Sequence, residues 1–411
     1  MSNSKKRLSR REFFFQTAAG ATSIGLLNRL APAKDFFAPP ASVSQPQSDK
    51  KLFERKLGKT GIVVPIVSMG VMNADNPELV KKSYELGIRH FDTAYGYMRG
   101  RNEEMLGNVF TELKCRDKIV IATKIPIPRQ RDPEKAKDEF LSMAETSLKR
   151  LRTDYVDMLY IHNVSVTENV HPAALTEALA QIKKEGKARF VGFSTHSNQA
   201  ACLNEAARTG FHDVVLTAFN YAHAGNKDLL DALANAASKG IGLIAMKTQC
   251  SQYWYKGGLS PVEQSYYEGA INQSAVLKWV LGHEFISTAV PGYTTYEQLN
   301  EDVSAGLSIT LTPEEKNYLD DRKVNLVMES YCLQCSQCLS SCPRGADIPA
   351  LMRTHMYAAC YRNFYQARDT YDGISKERNL VGCTSCIACT ARCVRSVSIA
   401  QRIDELKALF A

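Results

Sequence analysis

From residue 52 onward the hydrophobic positions fall into two alternating periods. Short, near-continuous apolar runs occur at Ile66–Met69, Ile88–Asp92, Ile119–Thr123, Val156–Ile161, Phe190–Ser194, Val214–Phe219, Gly242–Met246 and Ser287–Val290. Each is the length of a buried strand. Between them lie stretches such as Pro133–Arg150 and Ala173–Lys184, where Leu, Ile and Ala recur at spacings of three and four, as on one face of a helix. Lys-Glu-Gly at 184–186 and Ser-Lys-Gly at 238–240 predict helix ends closed by glycine. Thr312-Pro313-Glu314-Glu315 predicts a capping box opening a further helix. Eight strands that alternate with helices over about 250 residues predict a (β/α)8 TIM barrel. Ahead of them, Phe53–Gly58 and Ile62–Val64 flank Gly58-Lys59-Thr60-Gly61, a hairpin that could plug the barrel floor.

Barrel enzymes carry their chemistry at the C-terminal ends of the strands. The second, third and fourth runs end at Asp92, Lys124 and His162, and Tyr97 lies in the loop after Asp92. Singly, each has an ordinary structural reading, as a cap, a solvated cation or a core histidine. Together they bring an acid, a base, an imidazole and a phenol to one face.

This set resembles the catalytic tetrad of the aldo-keto reductases, whose Asp-Thr-Ala-x-x-Tyr signature is present as Asp92-Thr93-Ala94-Tyr95-Gly96-Tyr97. The resemblance spans about residues 52–322. It includes Asn102-Glu103-Glu104-Met105-Leu106-Gly107, Val191-Gly192-Phe193-Ser194 and Val290-Pro291-Gly292. It implies carbonyl–alcohol interconversion by hydride transfer from NAD(P). Tyr97 would donate the proton, with Tyr95 as its rival. Lys124 would lower the phenol pKa, Asp92 would orient Lys124, and His162 would hydrogen-bond the substrate oxygen. For the nucleotide the resemblance points to Ser194, Asn220, Met246, Lys247, Pro291, Gly292, Gln298, Glu301 and Asp302. Met246 stands where many members stack a tyrosine on the nicotinamide, and Leu216 where many place a glutamine. Gln298 stands near the usual arginine for a 2′-phosphate, which argues against a preference for that phosphate; Lys247 and Lys256 could compensate.

The cysteines change the picture. Of twelve, Cys332, Cys335, Cys338 and Cys342 follow Cys-x2-Cys-x2-Cys-x3-Cys, and Cys383, Cys386, Cys389 and Cys393 repeat it. This is the bacterial ferredoxin arrangement for two [4Fe–4S] clusters, in which the fourth cysteine of each run ligates the other cluster. Cys332, Cys335, Cys338 and Cys393 are then expected on one cluster, and Cys383, Cys386, Cys389 and Cys342 on the other. Zinc sites and disulfides rarely repeat this spacing. Ala350–Arg368 is helix-like, which predicts a small, mainly helical ferredoxin-like domain. Barrel plus cluster module resembles the iron–sulfur branch of the aldo-keto reductases. Outside the runs, Cys202 and Cys360 are expected to be buried, and Cys250 follows the seventh strand on the active face.

The net charge of +8 is uneven. Residues 1–33 contribute +5 and include Ser9-Arg10-Arg11-Glu12-Phe13-Phe14, an apolar stretch from about Thr17 to Leu27, and Ala31-Pro32-Ala33. These resemble a twin-arginine export signal with a cleavage site. The mild remainder gives no argument for nucleic acid. The expected organisation is signal 1–33, linker 34–51, barrel 52–325 and cluster domain 326–411. The expected protein is a periplasmic oxidoreductase, or one tethered by an uncleaved signal. It would act on a small carbonyl or alcohol, with a sugar as one candidate, an external electron carrier as a candidate partner, and retention of NAD(P) through export as one route to a bound cofactor. The rival expectation is an electron-transfer scaffold built on a degenerate barrel. The loop Ser251–Ser265, with Tyr253, Trp254 and Tyr255, is expected to shape the pocket.

Overall fold

The computed structural model describes residues 51–249, 272–329, 331–395 and 397–410. The signal, residues 34–50 of the linker, Cys250, Lys256 and the loop Ser251–Ser265 lie outside these. Among the described residues no helix is long and apolar enough to cross a membrane.

A hairpin opens the described chain: β1 (Glu54–Lys56) pairs antiparallel with β2 (Val63–Pro65). Eight parallel strands follow: β3 (Met69–Gly70), β4 (His90–Asp92), β5 (Val120–Pro126), β6 (Val156–His162), β7 (Ala188–Thr195), β8 (Val214–Ala218), β9 (Gly242–Met246) and β10 (Thr288–Ala289). They pair in sequence order. A parallel bridge between Val67 and Ala289 joins the two ends, so the sheet closes into a (β/α)8 barrel. The expected strands are all present. β5, β6 and β7 run further than their apolar runs, because barrel pairing continues past the last hydrophobic residue into Lys124, Pro126 and His162.

Two cores follow from strand alternation. Phe91, Ile121, Leu159, Val191 and Val215 face outward onto the helices. Ala122, Met158, Tyr160, Leu216 and Ile244 fill the interior together with Leu57 and Val64 of the hairpin, which plugs the floor. The plug sits close. A Cβ on Gly58 would lie 2.4 Å from the Gly240 carbonyl oxygen, at a φ of +51°. Helix starts obey local chemistry. Asp132 caps the helix Pro133–Leu151 by accepting from the Lys135 amide, and Thr312 with Glu315 forms the expected capping box on Pro313–Asp320.

The C-terminal region is helical, with Ile348–His355, Phe364–Asp372 and Ile399–Phe410 as its α-helices. It has its own core, in which Leu351, Leu380, Ile403 and Leu406 are buried. The helix-like segment 350–368 is helical in two pieces. A wide turn at Met356–Cys360 leads to Arg362 at φ +52°. Asn363 then caps the next helix through the Gln366 amide, while its own amide donates to Asn73 Oδ1 of the barrel at 2.7 Å. The region docks on the mouth of the barrel. Arg395 donates to the carbonyls of Ala222 and Met328, at 2.9 Å each.

Candidate active site

The loop after β4 is held by the residues that follow it. Asn102 donates to the carbonyls of Val71 and Ala74 and accepts from the Thr93 hydroxyl. Buried Glu103 accepts from Thr123 and pairs with Arg150. Arg150 also binds the Tyr95 carbonyl and lies over the Tyr95 ring, which engages that side chain. Gly100 has φ +89°, and a Cβ there would meet the Arg150 guanidinium at 2.3 Å. Asn102 and Glu103 therefore position the loop that carries Tyr97.

Within this frame Lys124, almost fully buried, donates to Asp92 Oδ1 at 2.5 Å, to the Thr93 carbonyl at 2.6 Å and to the Tyr97 hydroxyl at 3.4 Å. The His162 ring stands edge-on to Tyr97, with centroids 6.0 Å apart. All four tetrad candidates meet at the C-terminal ends of β4, β5 and β6. Burial acts against both members of the ion pair. It raises the Asp92 pKa and lowers that of Lys124, and each partner opposes the shift on the other. Burial, then Lys124, Arg353 and Lys247, brings the His162 imidazole down to about 3, so it is neutral. Tyr97 departs from expectation. Burial, then the Asp92 and Asp369 carboxylates, pushes its phenol above the ordinary value. The Lys124 ammonium is turned chiefly toward Asp92 and Thr93, and its contact with the phenol is long.

Residues 68–252 match the model of the aldo/keto reductase family. The barrel belongs to that family. The chain is 27% identical over 343 residues to L-glyceraldehyde 3-phosphate reductase of Escherichia coli O157:H7, covering 69% of this chain and 97% of that one. It is 29% identical over 287 residues to L-galactose dehydrogenase of Arabidopsis thaliana, covering 62% and 88%. Among solved structures, an aldo-keto reductase from Bacillus halodurans in its holo form superposes with a TM-score of 0.54 at 19% identity, over 67% of this chain and 99% of that one. One from Klebsiella pneumoniae in complex with NADPH gives 0.51 at 23%, over 66% and 94%. These two likenesses concern the fold. The protein is an aldo/keto reductase family oxidoreductase.

The positions where other aldo/keto reductases hold a nucleotide are partly engaged within the chain. Ser194 Oγ accepts from the Asn163 amide at 3.0 Å. The Asn220 amide donates to the Lys247 carbonyl, and its oxygen accepts from the Ala222 amide. Leu216 and Met246 are buried in the barrel interior. The Pro291 carbonyl accepts from the Gly70 amide across the closing seam. A Cβ on Gly292 would make only an ordinary contact with the Gly70 carbonyl, 3.7 Å away. Gln298 accepts from the Thr294 amide. Buried Asp302 receives Gln249 Nε2 on Oδ1, while Oδ2 has no partner among the described residues. Burial, with Glu301 beside it, holds the Asp302 carboxyl well above the ordinary range. That acceptor, beside exposed Glu301, fits a ligand bearing amino groups.

Among the described residues the eight cysteines of the two runs form no disulfide. The structure sorts them into two groups by proximity. After burial, the Cys338 thiol is raised by Cys332, Cys335 and Cys393, and the Cys383 thiol by Cys342, Cys386 and Cys389. The fourth cysteine of each run thus sits with the other run. The Arg395 amide donates to Cys393 Sγ and the Gln334 amide group to Cys332 Sγ, both at 3.4 Å. Among the described residues no three ligand side chains converge on a point that one ion could fill. A cube, whose corners hold the thiolates apart, demands less convergence. Donor type, grouping and N–H···S contacts fit two iron–sulfur cubes. Cys115, Cys202 and Cys360 are buried.

Four residues at the mouth have no counterpart in the sequence reading. His196 follows β7 and shares a hydrogen bond with Asn163 at 3.1 Å; its strand-end position was the available signal. Arg353, Tyr357 and Asp369 come from the C-terminal helices, where no motif marks them. Tyr97 stands close enough to Tyr357 to raise the proton affinity of the Tyr357 phenol, after burial.

Proposed function

We propose that this chain is an exported oxidoreductase that interconverts a small carbonyl compound and its alcohol with NAD(P). Its electrons would be linked to two [4Fe–4S] clusters in residues 326–411. The observation that carries the catalytic part is the Asp92–Lys124–Tyr97 contact chain beside His162 at the strand ends. When bound, the nicotinamide supplies hydride and the clusters supply single-electron transfer. Tyr97, held protonated by burial, donates its proton to the carbonyl oxygen. Lys124 then stabilises the phenolate left behind, and Asp92 keeps Lys124 in place. Neutral His162 can donate one hydrogen bond to the oxygen as negative charge builds there. Ser194, Asn220, Met246, Lys247, Pro291 and Gly292 would line the nicotinamide end. Gln298, Glu301 and Asp302 would serve the adenine end. The sugar-related substrates named for the two relatives above support a small aldose, or its phosphate, as the carbonyl partner.

The clusters, the domain limits and the periplasmic address rest on the cysteine runs and the paired arginines. Leu216 and Met246, apolar where a ring and its amide would be held, favour a second reading as an electron-transfer scaffold. Anaerobically purified protein assayed with NADH or NADPH and small aldehydes separates the two. Turnover that Tyr97→Phe abolishes while cluster absorbance persists supports the enzyme. Redox cycling with no carbonyl turnover supports the scaffold. Mass spectrometry of the denatured protein for a bound nucleotide tests retention through export, and finding none argues against it.

A further inference from the structure

Between the barrel mouth and the C-terminal helices lies a cleft lined by His196, Ala218, Lys247, Cys332, Arg353 and Arg402, among others. Lys247 is fixed there by its backbone. It follows the last residue of β9 at φ +60°, and its carbonyl is held by Asn220. Its Nζ lies 4.5 Å from the Tyr357 ring centroid and 4.8 Å from that of Tyr361. Aromatic faces stabilise an ammonium but supply no anion. Arg353 donates to the neutral Gln334 side chain at 3.3 Å. Among the described residues neither cation has a carboxylate partner. The charges that reach Lys247 are those of Arg353 and Lys124, and those that reach His196 include Arg353, Lys247 and Lys124, all of one sign.

Half-buried cations with no carboxylate partner among the described residues are unfavourable when crowded together, and the arrangement persists in a fold only where something else compensates. The neighbouring iron–sulfur site is the obvious claimant, since a cube with four thiolates is anionic. Its cation is already present, however. Arg402 is the cation whose charge acts on Cys332, whereas Arg353 reaches that thiol through the neutral Gln334 side chain. We propose that Lys247 and Arg353 form a subsite for an anionic group, phosphate or carboxylate, of the ligand that occupies the barrel mouth. That group belongs either to the substrate or to the nucleotide, and the test separates them.

The full-length protein, purified anaerobically with its clusters, is titrated calorimetrically with inorganic phosphate. Wild type is expected to bind, with affinity at least tenfold weaker in Lys247→Met and in Arg353→Met and partly kept in Arg353→Lys. The conservative variant also serves if the methionine form does not fold. Binding that is absent in wild type, or unchanged in the variants, overturns the subsite. So does a variant that shifts a cluster potential while phosphate affinity stays put, because the cations then serve the cluster. The second arm rests on the catalytic reading above. The ratio of kcat/KM for glyceraldehyde 3-phosphate over glyceraldehyde should fall at least tenfold in Arg353→Met if the anion is the substrate's. If it is the nucleotide's, the nucleotide Kd rises by that factor and the ratio holds. Failure of all turnover sinks the catalytic reading and leaves the phosphate titration intact.

Discussion

Removing either member of the Asp92–Lys124 pair should destabilise the fold far more than removing both. Both side chains are almost fully buried. With Asp92→Asn, Lys124 either stays charged without its partner or gives up its proton. At pH 7 the second route sets a ceiling. Moving an ammonium pKa from about 10.4 to below 7 costs about 4.6 kcal/mol, at about 1.36 kcal/mol per unit. With Lys124→Met, the carboxylate must move from about 3.9 to above 7, or about 4.2 kcal/mol. Each single change should therefore cost roughly 3–5 kcal/mol. The double variant carries no buried charge and loses mainly the donor to the Thr93 carbonyl, about 1–3 kcal/mol. The coupling should reach about 3 kcal/mol or more. The pH dependence has opposite signs. In Asp92→Asn the lone lysine has a depressed folded pKa, so stability returns as pH rises from 7 toward 10. In Lys124→Met the lone carboxyl has a raised folded pKa, so stability returns as pH falls from 7 toward 4. Urea unfolding followed by circular dichroism at pH 5, 7 and 9 measures this. Single effects that add, or that do not move with pH, would falsify the buried-pair argument.

Tyr97→Phe should lower carbonyl reduction by about 10²- to 10⁴-fold while leaving cluster spectra in place; near-normal turnover would assign the proton to another group. Cys393→Ser should remove about half the iron. Adding Cys332→Ser should remove little more, and adding Cys383→Ser should remove the rest; iron analysis of the three proteins decides whether the runs cross. Burial, with Arg353 and Lys124, brings the Lys247 ammonium down to about 7, in a setting that also holds His162, His196, Tyr357 and Tyr361. Phosphate affinity should therefore weaken as pH rises through 7, and calorimetry showing a flat profile from pH 6 to 8 would contradict this. In Gly192→Ala the new Cβ would lie 1.8 Å from the Val214 carbonyl oxygen, inside the paired strands, which should cost about 3 kcal/mol or more by urea midpoint.

The barrel was legible because a parallel strand buried on both faces is nearly continuous in hydrophobicity, and each such run ends where chemistry begins. Asp92, Lys124 and His162 were found by that rule alone, before any resemblance. The same rule applied after β7 reaches His196, which the apolar run ending at Ser194 left two residues short. Strand ends were less legible, since Lys124 and Pro126 continue the ladder through backbone pairing that side-chain pattern does not report. The structure places the fourth cysteine of each cysteine run beside the other run, and the two runs themselves were legible as a repeated spacing. The break at Met356–Cys360 was not, because it depends on Asn363 reaching Asn73, a contact across 290 residues of sequence. Arg353, Tyr357 and Asp369 were illegible for the same reason. Their roles exist only once the C-terminal helices lie on the barrel mouth.

That docking alters the acid itself. In an open barrel, the influences on Tyr97 would be solvent, Lys124 and Asp92, and the ammonium would tend to pull the phenol pKa down. Covered by Tyr357 and Asp369, the phenol is desolvated and faces a second carboxylate, both of which favour the protonated form. Carbonyl reduction needs that form in its ground state, whereas alcohol oxidation needs the phenolate. Each unit by which the pKa stands above ambient pH adds about 1.36 kcal/mol to the cost of reaching the phenolate. The C-terminal helices therefore bias the barrel chemistry toward proton donation. An oxidative direction would require a bound ligand or a charged cluster to offset Asp369. Asp369→Asn distinguishes these, because it removes one carboxylate's charge from Tyr97 and leaves the tetrad's own side chains unchanged. The pH at which alcohol oxidation sets in should drop in that variant. An unchanged profile would mean that burial alone holds the proton on Tyr97.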